Sequence, residues 1–276
     1  MAGEVGGFDI GRIRAQSQSI PDLPSTIPKF HDGQYSRRWP NGSVVATTLP
    51  AIIRRRTSRV PIRRQNHLNA DALLIIDGCC KDYALEDLLW PRRRGTPLYK
   101  VLSAESRCIL VAPDMSVYTD EPMPSCHKLY QIKRTFMMYE YYQDHGLTAL
   151  PFLAPAAPTH TEWMAAWLGA NECVRHVAAS VQTLQRRESV WRSHLRLLEQ
   201  IQRRVPRELV WLLVGQSEDA PRASEALASL GDVRFVVAPC EYGPSTSSEA
   251  RGPAVLTLPL WAPKASANGQ RLLPYE

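Results

Sequence analysis

Arg107 to Asp120 reads RCILVAPDMSVYTD. The unbroken apolar run from Cys108 to Ala112 is the pattern of a strand buried on both faces, as in a parallel sheet covered by helices. Pro113 has no backbone N–H to donate and ends the strand. Beyond it Asp114, Ser116, Tyr118 and Asp120 fall at alternate positions, so in extended chain they share one side. Polar groups at the carboxyl end of a buried parallel strand stand where α/β folds place their sites. Capping a following helix is the plainer role for Asp114 and Ser116. Pro122 and Pro124 are better placed to open that helix, which leaves Asp114 some distance before its first turn.

The pattern recurs along the chain. Ser43–Pro50 is predicted as the first strand, and Ala72–Asp77 as a second that runs into Gly78, Cys79 and Cys80. Leu147–Ala154 follows the Cys108 strand, then Cys173–Val181, Leu209–Gly215, Val233–Pro239 and an eighth, Val255–Leu260. Helical spacing fills the gaps. From Ser125 to Asp144 apolar or aromatic residues recur at Leu129, Ile132, Phe136 and Tyr139, with Gly146 as a stop. From Ser189 to Val205 the stripe is Trp191, Leu195, Leu198, Ile201 and Val205. Shorter helices fit Ala84–Trp90, Thr161–Leu168 and Pro221–Leu230. Strands alternating with helices imply parallel crossovers, and seven or eight such units point to a (β/α)₈-type barrel, complete or irregular, over residues 41–276. An open doubly wound sheet is the alternative. Residues 1–40, rich in Gly, Ser and Pro, read as an N-terminal arm or wrapping segment.

At 276 residues, with 44% hydrophobic and 22% charged, the composition is that of a soluble globular protein. No apolar run approaches the roughly 20 residues that span a bilayer. The start MAGEVGGFDIGR lacks a basic stretch followed by an apolar one, so a cytoplasmic location is expected. The six cysteines form no CxxC pair and the seven histidines are scattered, so no metal is expected. Neither GxxxxGK[ST] nor GxGxxG after a strand occurs, and no nucleotide cofactor is expected.

The net charge of +6 is unevenly spread. Between Arg37 and Lys100 there are 13 Lys/Arg against five Asp/Glu, a net of +8, and the rest of the chain has 20 against 22, a net of −2. Arg54, Arg55, Arg56, Arg59, Arg63 and Arg64 are interrupted by no acid, and Arg92, Arg93 and Arg94 form a second cluster. Acid-free arginine clusters on loops point to a polyanion, because each phosphate neutralised releases counterions. DNA or RNA is the expected partner, and no membrane.

If the strand carboxyl ends form one face, that face collects Asp77, Asp114, Gln216 and Glu241, and the loops add Asp82, Ser116, Tyr118 and Asp120. Two carboxylates converging on an apolar pocket can divide acid and nucleophile or base roles, since desolvation and a neighbouring charge push their pKa values apart. Each has a plainer role too: Asp77 before Gly78 makes a turn, Asp120 neutralises a helix start, and Glu241 is solvated.

Three segments, PDMSVYTDEP (113–122), LYQIKR (129–134) and YYQDHGLTALPFL (141–153), resemble a bacterial and phage family. Its motif runs Pro-Asp-Phe-Ser-x-Tyr-x-Asp-x-Pro, followed by a Tyr/Arg-containing helix and a Gln-x-x-Gly turn; Met115 stands in place of its Phe. That family is similar in turn to the barrel of the tRNA-guanine transglycosylases, which break a base-to-ribose bond using aspartates at strand ends. A member of this kind acts in antiviral defence as a DNA glycosylase that removes glucosylated hydroxymethylcytosine. The resemblance implies an N-glycosylase that flips out and excises a modified base from DNA. Asp114 would be the carboxylate facing the oxocarbenium-like sugar. Asp77 would recognise the base or transfer a proton, and Ser116, Tyr118, Asp120, Gln216 and Glu241 would line the pocket. Base exchange on tRNA or DNA, and a non-catalytic nucleic-acid binder, are the alternatives. A metal-dependent barrel hydrolase is disfavoured by the scattered histidines.

Overall fold

The computed structural model describes residues 5–30, 39–54, 62–79, 85, 98–103, 105, 107–115, 123–181, 188–215 and 230–237. β3 (Leu73–Asp77) is buried at all five positions, as an unbroken Leu-Leu-Ile-Ile run requires when both faces are covered. It pairs in parallel with β2 (Val44–Thr48) on one side and β4 (Cys108–Val111) on the other, and β4 pairs in parallel with β5 (Ala149–Leu150). The second sheet is built the same way. β7 (Val210–Gly215) lies between β6 (His176–Ser180) and β8 (Asp232–Val237), and β8 takes β1 (Thr26–Pro28) as its other neighbour. Two four-stranded parallel sheets result, ordered β2-β3-β4-β5 and β1-β8-β7-β6. Single parallel bridges also link the two, Lys29 with Ala46 just past β1 and Phe152 with Ala178 just past β5.

Seven strands stand where the sequence predicts them. The difference is β1, which lies inside the segment expected to be an arm, so Ser43–Pro50 holds the second strand rather than the first. Thr-Ile-Pro is too short to show a period, and Pro28 breaks the apolar pattern that marks the other strands. The expected strand at Val255–Leu260 lies outside the described residues, as does most of the helices expected at Ala84–Trp90 and Pro221–Leu230.

Short helices α1 (Leu49–Arg54), α2 (Ile62–Gln65) and α3 (Leu98–Ser103) accompany β2 to β4. α4 (Ser125–Asp144) starts directly after Pro124 and stops before Gly146, whose φ of 69° is the left-handed conformation that glycine adopts freely. α5 (Pro158–Ala170) opens on proline at its first turn, where the missing N–H costs nothing. α6 (Glu188–Arg204) buries Trp191, Leu195, Leu198 and Ile201, the stripe read from its spacing, and Val205 beyond its end is buried too. Trp167 of α5 meets Phe136 and Tyr139 of α4 edge-on, with ring centroids 4.8 and 5.8 Å apart.

The described N-terminal segment ahead of β1 runs along α4 and α5. Trp167 donates its indole N–H to the Ile13 carbonyl at 2.8 Å, Asn171 accepts from the Ala15 N–H at 2.8 Å, and Gln143 accepts from the Gln16 N–H at 2.6 Å. Lys133 donates to the Asp9 carbonyl. These contacts explain why Lys133, Gln143 and Asn171 are buried although polar: each satisfies a main-chain group of a segment that has no ladder to join.

Candidate functional site

β3 and β4 are parallel neighbours, so their carboxyl ends bring Asp77 and Asp114 to the same edge of the sheet. The two ends are locked together at Gly78. Its carbonyl accepts from the Asp114 N–H at 3.2 Å. A Cβ placed on Gly78 would lie 2.7 Å from the Val111 and Ala112 carbonyl oxygens and from the Pro113 Cα, closer than real contacts allow. Glycine is therefore required there by the approach of β4's backbone. From α4, the Thr135 hydroxyl donates to the Pro113 carbonyl at 3.0 Å and fixes the residue before Asp114.

Asp77 has 0% exposure. Its Oδ1 accepts from the Cys79 N–H at 2.8 Å, and its Oδ2 accepts from the Lys29 ammonium, itself only 7% exposed along the side chain. Cys79 lies between the two aspartates electrostatically. Burial pushes its thiol well up, the negative charges of Asp77 and Asp114 add to this, Lys29 opposes it, and the thiol's hydrogen bond to Asp77 raises it further. Cys79 is thus a neutral thiol that donates to Asp77 and is no nucleophile. Asp77 is surrounded by donors, whereas Asp114 is only half-buried. Of the two, Asp114 is the less buried.

Lys29 is the residue that sequence reasoning missed. It follows the three-residue β1 and carries a bridge to Ala46 of β2, and β2 in turn pairs Thr48 with Asp77 of β3. Its ammonium so reaches across one strand to the carboxylate on the next. The available signal was a lone cation flanked by Ile27, Pro28 and Phe30, where an exposed lysine would sit among polar neighbours.

Among the other expected site residues, Ser116, Tyr118, Asp120, Gln216 and Glu241 lie outside the described residues, together with Arg55, Arg56, Arg59, Arg92, Arg93 and Arg94. Arg54 ends α1. Arg63 is a correction: it turns inward, with 8% exposure, and does not offer a free guanidinium to phosphate. Its Nη1 donates to the Asn69 and Ala72 carbonyls at 3.1 and 2.8 Å, its Nη2 donates to the Arg107 carbonyl at 2.9 Å, and Glu105 lies 3.8 Å from its Nε. Those carbonyls precede β3 and β4, so Arg63 ties together the amino-terminal edge of the sheet, opposite Asp77 and Asp114. Arg64 beside it remains exposed.

A cavity of about 370 Å³, lined in part by Gln16, Gln18, Tyr139, Cys173 and Arg175, also lies on that opposite edge, where β5 and β6 begin. Among the described residues no cluster of His, Cys, Asp or Glu could hold a metal ion, and no helix is long and apolar enough to cross a membrane. No protein-family model matches the chain, and no curated protein matches it.

Proposed function

We propose that this chain is an N-glycosylase that extrudes a modified base from DNA and hydrolyses its bond to the sugar, in defence against phage whose DNA carries glucosylated cytosine. The observation that carries the reading is the arrival of Asp77 and Asp114 at the carboxyl ends of adjacent parallel strands, one enclosed by donors and the other half-exposed. The two sheets, linked by the bridges at Lys29–Ala46 and Phe152–Ala178, fit one closed (β/α)₈-type barrel in which every strand ends on the same rim. On that rim Asp114 faces the sugar. As C1′ gains positive charge, the carboxylate stabilises it and directs a water to it. Asp77, held by Lys29 and Cys79, supports the charge pattern from behind the reacting atoms. Extrusion costs a few kcal/mol, met by phosphate contacts from the basic segment and by the pocket.

The test is to incubate the protein with plain and glucosylated DNA and look for alkali-labile abasic sites and the released base by mass spectrometry. Asp114→Asn is expected to keep fold and DNA affinity but to lose roughly 10²–10³ or more in single-turnover base release. Asn caps a helix about as well as Asp, so turnover near wild type would remove Asp114 from the chemistry.

A further inference from the structure

The turn that joins α5 to β6 reads Glu172-Cys173-Val174-Arg175 and carries an acid and a base three residues apart. The Val174 N–H donates to the Asn171 carbonyl at 3.0 Å. Arg207 holds the turn in shape, its Nη2 donating to the Leu168, Asn171 and Val174 carbonyls at 2.9, 3.1 and 2.9 Å. Residues 16–20 of the N-terminal segment are fixed by Gln18, whose Oε1 accepts from the Ala149 N–H at 2.9 Å and whose Nε2 donates to the Leu147 carbonyl at 3.4 Å. The turn and this segment both line the cavity of about 370 Å³. Its walls are thus held by side-chain bonds, and its volume is at the small end of the range for metabolite sites.

The floor is Tyr139 of α4. It is 2% exposed, its ring packs edge-on against Trp167, and no described residue hydrogen-bonds its hydroxyl. Burial, with neighbouring Cys173 adding to it, raises its pKa, so the phenol stays neutral and able to donate. A buried hydroxyl that lines a cavity and has no partner in the protein is completed by a guest that brings an acceptor. The mouth is open: Glu172, Cys173 and Arg175 are exposed, and neither charge is ion-paired with a described residue. Burial lowers the pKa of His176, so its ring is neutral at pH 7. The charges of Glu172 and Arg175 therefore cancel, and a polyanion finds no net attraction here.

We propose that this cavity binds a free α-amino acid, with Arg175 on its carboxylate, Glu172 on its ammonium group and Tyr139 on an acceptor at the end of its side chain. Opposite charges on one turn match a zwitterion, and the planar guanidinium suits a carboxylate. The path inward passes Ile20 and Pro151 and ends on the phenol, which fits an aliphatic side chain with a terminal amide, as in glutamine. A guest there touches residues 16–20, α4 and the turn at once, and so holds the N-terminal segment in place. This site is independent of the glycosylase reading, whose two carboxylates stand at the other edge of the sheet.

The experiment uses the full chain and sets a panel of free amino acids against alkylation by iodoacetamide. Cys173 and Cys126 are both exposed free thiols. Cys126 starts α4 and lies about 20 Å along the helix from Tyr139, so it serves as the internal reference. L-Glutamine, or another amino acid of the panel, is expected to slow alkylation of Cys173 in the peptide map and to leave Cys126 unchanged. The N-acetyl amide of the same amino acid lacks both charges and should give no protection. Tyr139→Phe keeps the ring and removes the hydroxyl, so the concentration needed for protection should rise roughly three- to tenfold. Arg175→Gln should raise it about tenfold or more. Amide exchange in residues 16–20 should slow when the amino acid is bound. The proposal is overturned if no amino acid protects Cys173, or if the N-acetyl amide protects as well. It is overturned too if Cys126 shares the protection, or if both variants, with wild-type melting behaviour, behave as wild type. Protection by a nucleoside or a monosaccharide where every amino acid fails would also reject the ligand class.

Discussion

His194 shows what burial does to a single titratable residue here. It projects from α6 into the core, where its ring meets the backbone carbonyls of Pro155 and Ser180. Burial pulls its pKa from 6.5 down to about 4, against the opposing pull of those carbonyls. A base whose folded pKa lies below its unfolded one takes up its proton more readily when unfolded. Its neutral burial therefore costs nothing above pH 6.5, and stability is lost as pH falls from there toward 4. Between pH 7 and pH 5 that loss is roughly 2 kcal/mol. Urea unfolding of wild type and His194→Gln at both pH values checks this: the variant is neutral throughout, and its stability should change less between them by about that amount. An equal pH dependence in the two proteins would mean that the folded core already accommodates the imidazolium.

At the scale of elements, the wrapping segment holds through side chains that reach its backbone. Asn171 both accepts from the Ala15 N–H and donates to the Trp167 carbonyl, at 2.8 and 2.7 Å. Asn171→Ala removes both bonds, a loss of roughly 1–3 kcal/mol. The expected signature is local: faster amide exchange and easier proteolysis around residues 13–18, while β7 keeps its protection. Uniform loss across the sheet would show that the segment is part of the cooperative core. The same contacts explain what could be read from sequence. Strands such as β3 and β7 announce themselves because several consecutive apolar residues admit burial on both faces and little else. The long stripe of α6 does the same through its period. β1 gives no such sign, since three residues with a proline carry no period and its pairing with β8 joins segments some 200 residues apart. For the candidate site, the meeting of Asp77 and Asp114 at one edge of the sheet was legible because Asp77 ends one apolar run and Asp114 follows another after a single proline. Lys29 was not, because its partner is set by a bridge to β2 and a register two strands over. The inward turn of Arg63 was hidden likewise, since a run of arginines looks the same in sequence whichever way each side chain points.

For the whole molecule, that turn takes Arg63 out of the basic surface that the proposed DNA partner would meet. α1 leaves β2 at its carboxyl end, whereas Arg63 in α2 bonds the carbonyls of Ala72 and Arg107, where β3 and β4 begin. α1 therefore begins at the edge that holds Asp77 and Asp114, and Arg63 stands at the opposite one. Arg63→Ala would take a donor from three carbonyls and the cation from buried Glu105, whose carboxylate also accepts from the Ile62 N–H. Removing one partner of a buried ion pair costs about 3 kcal/mol or more, so this variant should unfold at clearly lower urea. Arg54, Arg55 and Arg56, replaced together by alanine, should instead leave the urea midpoint nearly unchanged and weaken DNA binding. Every phosphate that is no longer neutralised lowers the slope of log K against log salt by about one unit on duplex DNA. Binding measured over graded salt, under conditions where every variant is folded, separates the two roles. If Arg63→Ala lowered the salt slope as much as the triple variant does per arginine, its guanidinium would have to leave the carbonyls of β3 and β4 to meet phosphate. An unchanged slope together with reduced stability is what a residue spent on holding two strands at the far edge must give.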